Sequence, residues 1–161
     1  MSEVHALLII DHGSRKQSAN DMLACVVAAV ASEAQQTLNV APAPRYFRGA
    51  HMELASPTID EVMRELAELG VTDVRAVPLM LGPGRHATED IPRLVASSAA
   101  EHGMRVSSAP PLGVHRLLAQ LILLRAGLVS EHSEPECGLG AGNEGGPQSC
   151  SRAACPHLPA R

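Results

Sequence analysis

Two histidines and one glutamate stand at the ends of three predicted strands. His12 follows the apolar run 4–10, Glu53 closes the segment 46–54, and His86 ends the Gly-rich loop after the run 74–81. Imidazole binds divalent first-row metals and exchanges protons near neutral pH, and a carboxylate can support both tasks. These residue types predict a metal-binding or proton-transfer site wherever the fold brings the three segment ends together.

Strands and helices alternate along the chain and supply that fold. Apolar runs predict strands at 4–10 and 74–81, and two further strands are predicted at 46–54 and 105–109. Helical periodicity predicts helices at 18–36, 57–69, 88–102 and 114–128. Ser56 is predicted to cap the second helix, with Pro57 as its first residue. The pattern indicates an α/β, doubly wound fold with a mainly parallel four-stranded sheet and helices on both faces. Ligands of such sheets bind beyond the carboxyl ends of the strands.

Composition limits the partners. The 161 residues suffice for one domain. Only 1% of them are aromatic and the net charge is −4, so a nucleic-acid partner is not expected. No apolar run is long enough for a bilayer, and the N-terminus resembles no leader. We expect no membrane association and a soluble protein of the cytoplasm, or of the chloroplast stroma where a transit peptide has been removed.

Four blocks of sequence carry a resemblance. LLIIDHGSR at 7–15, AHMELASPTI at 50–59, VPLMLGPGRH at 77–86 followed by EDIP at 89–92, and PLG at 111–113 occur in order. Together they resemble the small, single-unit sirohydrochlorin chelatases over residues 4–127. The Gly-Pro-Gly-Arg-His block with Glu-Asp-Ile-Pro is the most specific part of the match.

The resemblance implies a lyase that inserts Fe²⁺ or Co²⁺ into sirohydrochlorin without ATP, toward sirohaem or cobalamin, in a homodimer. It implies that His12 and His86 contact the metal and act in catalysis, with His12 the expected proton acceptor. The residues implied to contact the macrocycle are Glu53, Leu81, Gly82, Pro83, Gly84 and Arg85. The released pyrrole protons suit a base with a pKa near 6.5, and a weak site of two or three ligands suits metal delivery.

Several other residues keep alternative interpretations. His51 is either a third metal ligand or a supporting or surface residue. Arg15 and Arg85 are expected to bind the substrate carboxylates. Four further basic residues are either macrocycle contacts or solvated charges: Lys16, Arg45, Arg48 and Arg93. Aliphatic walls, backbone and arginine are expected to grip the macrocycle rather than stacked rings. For the two aromatic residues, Tyr46 and Phe47, two interpretations stay open: contact with the macrocycle, or packing on the dimer partner.

The chain divides into a chelatase domain at 1–128 and a tail at 129–161 that is rich in Gly and Pro and is expected to be flexible. The tail carries Cys137, Cys150 and Cys155, one thiol short of a Cys₄ site. Two interpretations stay open: a disordered tail, or an iron–sulfur cluster whose missing ligand comes from His157 or from a partner subunit.

Two other classes of protein use similar residues. Histidine phosphatases also place a His-Gly pair after their first strand, but they need a basic residue before it, and Asp11 occupies that position. A non-enzymatic divalent metal-binding or delivery module would use the same pair, His12 and His86. Sequence alone does not separate this second class from a chelatase, because the same ligands serve both.

Overall fold

The computed structural model describes residues 3–37 and 42–129. The predicted tail and its three cysteines therefore lie outside the described residues, apart from Val129. In the described part, four strands and four helices alternate. The strands are β1 (His5–Asp11), β2 (Tyr46–His51), β3 (Asp73–Pro78) and β4 (Arg105–Ser108). The helices are α1 (Gln17–Thr37), α2 (Ile59–Glu68), α3 (Ile91–Glu101) and α4 (Arg116–Arg125).

The sheet has the strand order β2-β1-β3-β4, and every strand pair is parallel. Alternate residues of a strand face opposite sides of the sheet. Ala6, Leu8 and Ile10 of β1 join the main core with α2 and α3. On the other face, α1 packs on β2, where a Cβ added to Gly49 would meet Leu23. The predicted parallel four-stranded α/β fold with helices on both faces is confirmed.

Helix α2 begins two residues later than predicted. Thr58, rather than Ser56, is the N-cap: its hydroxyl accepts the N–H of Glu61, and the Glu61 carboxylate accepts the N–H of Thr58. This reciprocal capping box stabilises the helix start. The prediction that Pro57 opens the helix was wrong, because the Pro57 carbonyl instead accepts the N–H of His51.

Strand β2 ends at His51, three residues before its predicted end. The next two N–H groups turn toward the end of β1, where Met52 donates to Asp11 O at 2.9 Å and Glu53 donates to His12 O at 3.2 Å. Strand alternation therefore does not extend from His51 to Glu53. The segment 52–58 instead forms a loop that closes over the carboxyl end of β1.

The third helical segment also begins differently from the prediction. A single π-helical turn, His86–Asp90, comes first, and α3 continues from it. The N–H groups of Ala87 and Thr88 donate to the carbonyl of Gly84, so the glycine loop and the turn form one hydrogen-bonded unit. This unit sets the position of His86 at the carboxyl edge of β3.

Helix α4 differs from the other helices. None of its residues is buried, and several large apolar side chains are 43–62% exposed: Leu117, Leu121, Ile122 and Leu123. The segment before it is attached to the loop after β3, because Leu112 and Gly113 donate N–H bonds to the carbonyls of Met80 and Leu81. Within residues 3–37 and 42–129, no helix has the length and hydropathy that crossing a bilayer requires.

Candidate functional site

His12 and His86 face each other at the carboxyl edge of the sheet. Their ring centroids are 5.2 Å apart and their planes meet at 69°, edge to face. Both side chains are close to half exposed, at 43% and 50%. His12 directly follows β1, and His86 follows the loop after β3. The two imidazoles meet because β1 and β3 are neighbours in the sheet. The site is therefore open to a large ligand.

Glu53 lies against His12. Its carboxylate oxygen Oε1 is 3.0 Å from Nε2 of His12, and its backbone N–H donates to the His12 carbonyl at 3.2 Å. A carboxylate at this distance holds the imidazole ring in one orientation and can offset a positive charge that develops on it during a proton transfer. The structure thus brings together the three residues on which the sequence prediction was based.

Asp90 is a member of the site that the sequence prediction did not assign. Its Oδ2 lies 2.9 Å from Nδ1 of His86, and the side chain is only 19% exposed. The hydrogen bond with His86, followed by the charge of Arg85, lowers the pKa of Asp90 from its usual value. A donor bond from Nδ1 leaves Nε2 with a free lone pair, the form in which imidazole binds metals. The signal was available, because positions four apart share one side of a helical turn.

His51 is buried, unlike His12 and His86. It is 3% exposed, and its Nδ1 lies 2.6 Å from Oδ1 of Asp11. The two residues are register partners at the ends of β2 and β1. Of the two interpretations that the sequence allowed for His51, this contact favours a supporting residue. The pairing with Asp11 was not predicted.

The glycine loop and its surroundings form an exposed rim beside the histidines. All five loop residues, Leu81 through Arg85, are exposed, and so is Arg15. Arg85 is 78% exposed and has only distant contacts, 3.6 Å to Glu89 and 4.0 Å to Asp90. Leu54 and Leu112, 53% and 48% exposed, stand on segments next to the site. The rim therefore offers apolar surface and loosely held guanidinium groups.

Some of the basic and aromatic residues lie elsewhere. Arg45 precedes β2, and its N–H donates to the His5 carbonyl at the amino edge of the sheet. Tyr46 and Phe47 begin the same strand, and Phe47 is four register positions, about 13 Å, from the end of β2. Both rings therefore lie away from the histidine edge, which argues against the stacking that the sequence had left open for them. Arg48 pairs with Glu65 at 2.9 Å, on the side of α2.

A second cluster of ligand-type side chains occupies the amino edge. Glu3, His5 and Asp73 place three candidate ligand atoms within 4.8 Å of one another. The guanidinium of Arg105 binds both oxygens of Asp73 and also contacts Glu3. These bonds make the cluster an ion-pair network around one arginine.

The histidine edge suits weak, exchangeable metal binding combined with proton transfer. His12 and His86 offer nitrogen ligands, and Glu53 offers a carboxylate beside one of them. Imidazole is a ligand of borderline softness that suits iron and cobalt. Since the side chains are half exposed and flanked by an open rim, an ion could be transferred to a ligand lying on the edge.

Comparison with known proteins decides the family. The CbiX family model matches residues 6–127. The chain belongs to the CbiX family. This confirms the resemblance on which the sequence prediction rested.

Curated CbiX relatives include both iron and cobalt chelatases. The chain is 34% identical over 123 residues to the chloroplastic sirohydrochlorin ferrochelatase of Arabidopsis thaliana, covering 76% of this chain and 51% of that protein. It is 32% identical over 136 residues to the sirohydrochlorin cobaltochelatase of Methanococcoides burtonii, covering 78% and 97%. The chain thus spans about half the length of the plant relative and nearly all of the archaeal one.

The fold of this CbiX chain matches that of a solved chelatase. The sirohydrochlorin chelatase SirB of Bacillus subtilis subspecies spizizenii, in complex with cobalt, superposes with a TM-score of 0.61 at 25% identity. The match covers 78% of this chain and 51% of SirB. The plant protein and SirB are therefore each about twice as long as the region that this CbiX chain shares with them.

Proposed function

We propose that this protein is a sirohydrochlorin chelatase, a lyase that inserts Fe²⁺ or Co²⁺ into sirohydrochlorin and releases two protons. The observation that carries the proposal is the convergence of His12, His86 and Glu53 in a chain of the CbiX family. Relatives named as ferrochelatase and as cobaltochelatase support both metals as substrates. We infer that residues 1–128 are the chelatase domain, in keeping with the family match at 6–127.

The proposed roles follow from the contacts. His86 binds the incoming ion through Nε2, because Asp90 occupies Nδ1. His12 is the second ligand, and once the ion has moved into the macrocycle the released imidazole accepts one pyrrole proton while the second proton passes to solvent at this half-exposed edge. Glu53, 3.0 Å from His12, stabilises the imidazolium that results. Removal of either imidazole should slow insertion by about 10² to 10⁴-fold.

The rim supplies the substrate contacts. Leu81 and the backbone of Gly82, Pro83 and Gly84 form an exposed surface beside His86, where the flat macrocycle can lie. Arg85 and Arg15 bind its carboxylates, because a guanidinium fork pairs well with a carboxylate. The weak ion pairs of Arg85 with Glu89 and Asp90 leave its guanidinium available.

The test measures metal insertion directly. Purified protein, sirohydrochlorin and Fe²⁺ or Co²⁺ are mixed without oxygen, and the visible spectrum reports the rate above the uncatalysed background. His12→Ala and His86→Ala should lose most of the acceleration. His102→Ala, at the end of α3, is the matched control and should retain it. No acceleration by the wild type with either metal would refute the proposal, and metal binding without acceleration would indicate a delivery module.

We infer that the active form is a homodimer. The chain spans about half the length of the plant ferrochelatase and of SirB, and the side chains of His12 and His86 are about half exposed. Two apolar surfaces also lack cover within the described residues: α4 and a groove of about 1080 Å³ beside α1. The groove is lined in part by Val26, Val30, Phe47, Val74 and Val106. A second copy would bury these surfaces and supply the second lobe.

Oligomeric state tests this inference. In light scattering coupled to gel filtration, the wild type should have twice the chain mass. Leu121→Glu places a charge on the exposed apolar side of α4 and should give a folded monomer. Leu69→Glu alters a residue of similar exposure at the end of α2 and should leave the dimer intact. A monomeric wild type would rule out the homodimer.

A further inference from the structure

Asp11 and His51 form a buried pair directly beside the loop that carries His12. Nδ1 of His51 is 2.6 Å from Oδ1 of Asp11, and the two side chains are 3% and 19% exposed. They end β2 and β1 as register partners and lie on the same face of the sheet. Within residues 3–37 and 42–129, no side-chain hydrogen bond or ion pair joins Asp11 or His51 to the side chains of His12, Glu53 or His86. The hydrogen bonds that connect the pair to the site run through the backbone.

The backbone link is the N–H of Gly13. It donates to the same Oδ1 of Asp11 at 2.9 Å. Gly13 has a φ of +82°, which L side chains rarely adopt, and a Cβ there would lie 1.9 Å from the Glu53 carbonyl oxygen. One carboxylate oxygen therefore holds the residue after His12 in a left-handed conformation that allows the Glu53 backbone to approach.

Two more hydrogen bonds connect the same stretch to the Glu53 loop. Met52 N–H donates to Asp11 O, and Glu53 N–H donates to His12 O. His12 thus lies between two residues whose backbones are held in place, and Glu53 is held to His12 itself. Any loss of the Oδ1 contact should loosen both His12 and Glu53 together.

A buried carboxylate–imidazole pair is not needed to end two strands. Burying such groups costs free energy, and apolar residues of similar volume often replace buried ion pairs without loss of stability. The hydrogen-bonding pattern supplies a reason for the pair: His51 fixes the orientation of Oδ1, and Oδ1 fixes Gly13. A catalytic group must be held closely, since a displacement of about 1 Å can lower a rate by on the order of 100-fold.

We propose that Asp11 is a positioning residue for His12 and Glu53, with His51 as the group that orients its carboxylate. The inference rests on the proposed chelatase function for its consequence in activity, and on hydrogen-bond geometry for its structural part. Both contacts use one acceptor oxygen, so the proposal requires the oxygen of Asp11 and not its charge.

Two variants of Asp11 separate the need for an acceptor oxygen from the need for a negative charge. Asp11→Asn retains an oxygen at Oδ1 that can accept from Gly13 N–H and from the imidazole. Asp11→Leu has a similar volume and no acceptor. We expect kcat for metal insertion to stay near the wild-type value in Asp11→Asn and to fall by on the order of 100-fold in Asp11→Leu. The KM for sirohydrochlorin should change little in either variant, since the rim residues remain in place.

Hydrogen exchange of the Gly13 amide, followed by NMR, provides a readout independent of activity. The amide should be protected in the wild type and in Asp11→Asn, and should exchange rapidly in Asp11→Leu. If Asp11→Leu does not fold, Asp11→Leu with His51→Leu removes the whole pair without leaving a buried unpaired group, and the same losses are expected.

The outcomes are distinguishable. Full kcat and a protected Gly13 amide in the apolar variants would overturn the positioning role. Loss of kcat in Asp11→Asn with a protected Gly13 amide would also overturn the positioning role, because it would show that the reaction needs the charge of Asp11 and not only its acceptor oxygen. A wild type without chelatase activity would refute the proposed function, while the exchange rates of Gly13 would still decide whether Asp11 holds the loop.

Discussion

Substitution of Gly13 by alanine tests whether the two site loops need their close approach. The new Cβ would lie 1.9 Å from the Glu53 carbonyl oxygen, whereas ordinary contact begins near 3.4 Å. The shortfall is 3.4 − 1.9 = 1.5 Å, and the neighbour is backbone, which cannot rotate away. The loop that carries Glu53, the loop that carries His12, or both must therefore move by about this distance.

Two effects add in this variant. The left-handed φ of +82° alone costs an alanine about 1 kcal/mol. The displacement separates Glu53 from His12, now joined at 3.0 Å. Because a shift of about 1 Å can cost on the order of 100-fold in rate, we expect kcat for metal insertion to fall at least 100-fold. The loops lie at the sheet edge, so the core packing should be preserved.

Gly70→Ala is the matched control. Gly70 has a similar φ of +77°, but a Cβ there would meet nothing within 4 Å. It should lose about 1 kcal/mol of stability and retain its activity. The assays are the anaerobic insertion rate and the midpoint of thermal unfolding. If Gly13→Ala were as active as Gly70→Ala, the close approach of the two loops would not be required for catalysis.

Three further predictions concern stability. Thr58→Ala removes the helix cap and should cost about 0.5–2 kcal/mol in urea unfolding, whereas Thr58→Ser should not. Gly49→Ala would place a Cβ 2.8 Å from Leu23 Cγ, which overpacks the interface with α1 and should cost about 1–3 kcal/mol. The hydrogen bond from Arg105 lowers the pKa of Asp73, so the pair stabilises the fold at pH values above the ordinary carboxyl pKa. Arg105→Met should therefore lower the melting temperature at pH 6. This difference from the wild type should shrink as the pH falls below about 4, where the carboxylate becomes protonated.

Each of these has an outcome that would contradict it. Equal unfolding midpoints for the alanine and serine variants at position 58 would show that the cap does not contribute. An unchanged midpoint for Gly49→Ala would mean that α1 can move away at little cost. Arg75→Met is the control for the pH series. Arg75 lies exposed on β3, the strand of Asp73, and forms no ion pair within residues 3–37 and 42–129. If the melting temperatures of both arginine variants depended on pH in the same way, the ion pair of Arg105 with Asp73 would not explain the pH dependence.

Local patterns were sufficient for much of the architecture. The buried strands β1 and β3 show as short apolar runs and the helices as 3.6-residue periods, and the alternation of strands with helices indicates a parallel sheet. Because parallel strands end at one edge, the chain positions of His12, Glu53 and His86 already implied that they meet. The capping box of Thr58 and Glu61 and the spacing of His86 and Asp90 were equally local, and sequence patterns known for helix starts and helical turns would have revealed both.

The sequence by itself therefore determined the fold class, the edge at which the chemistry occurs and the residue types available there. Only the tertiary structure decided which other side chains hold the site residues in position. Asp11 and His51 are forty positions apart and meet because β1 and β2 pair in one register. The same pairing places Phe47 far from the site and turns the backbone after His51 into a loop. Contacts of this kind depend on strand neighbours and register, which are set by the packing of the whole sheet and not by any local period.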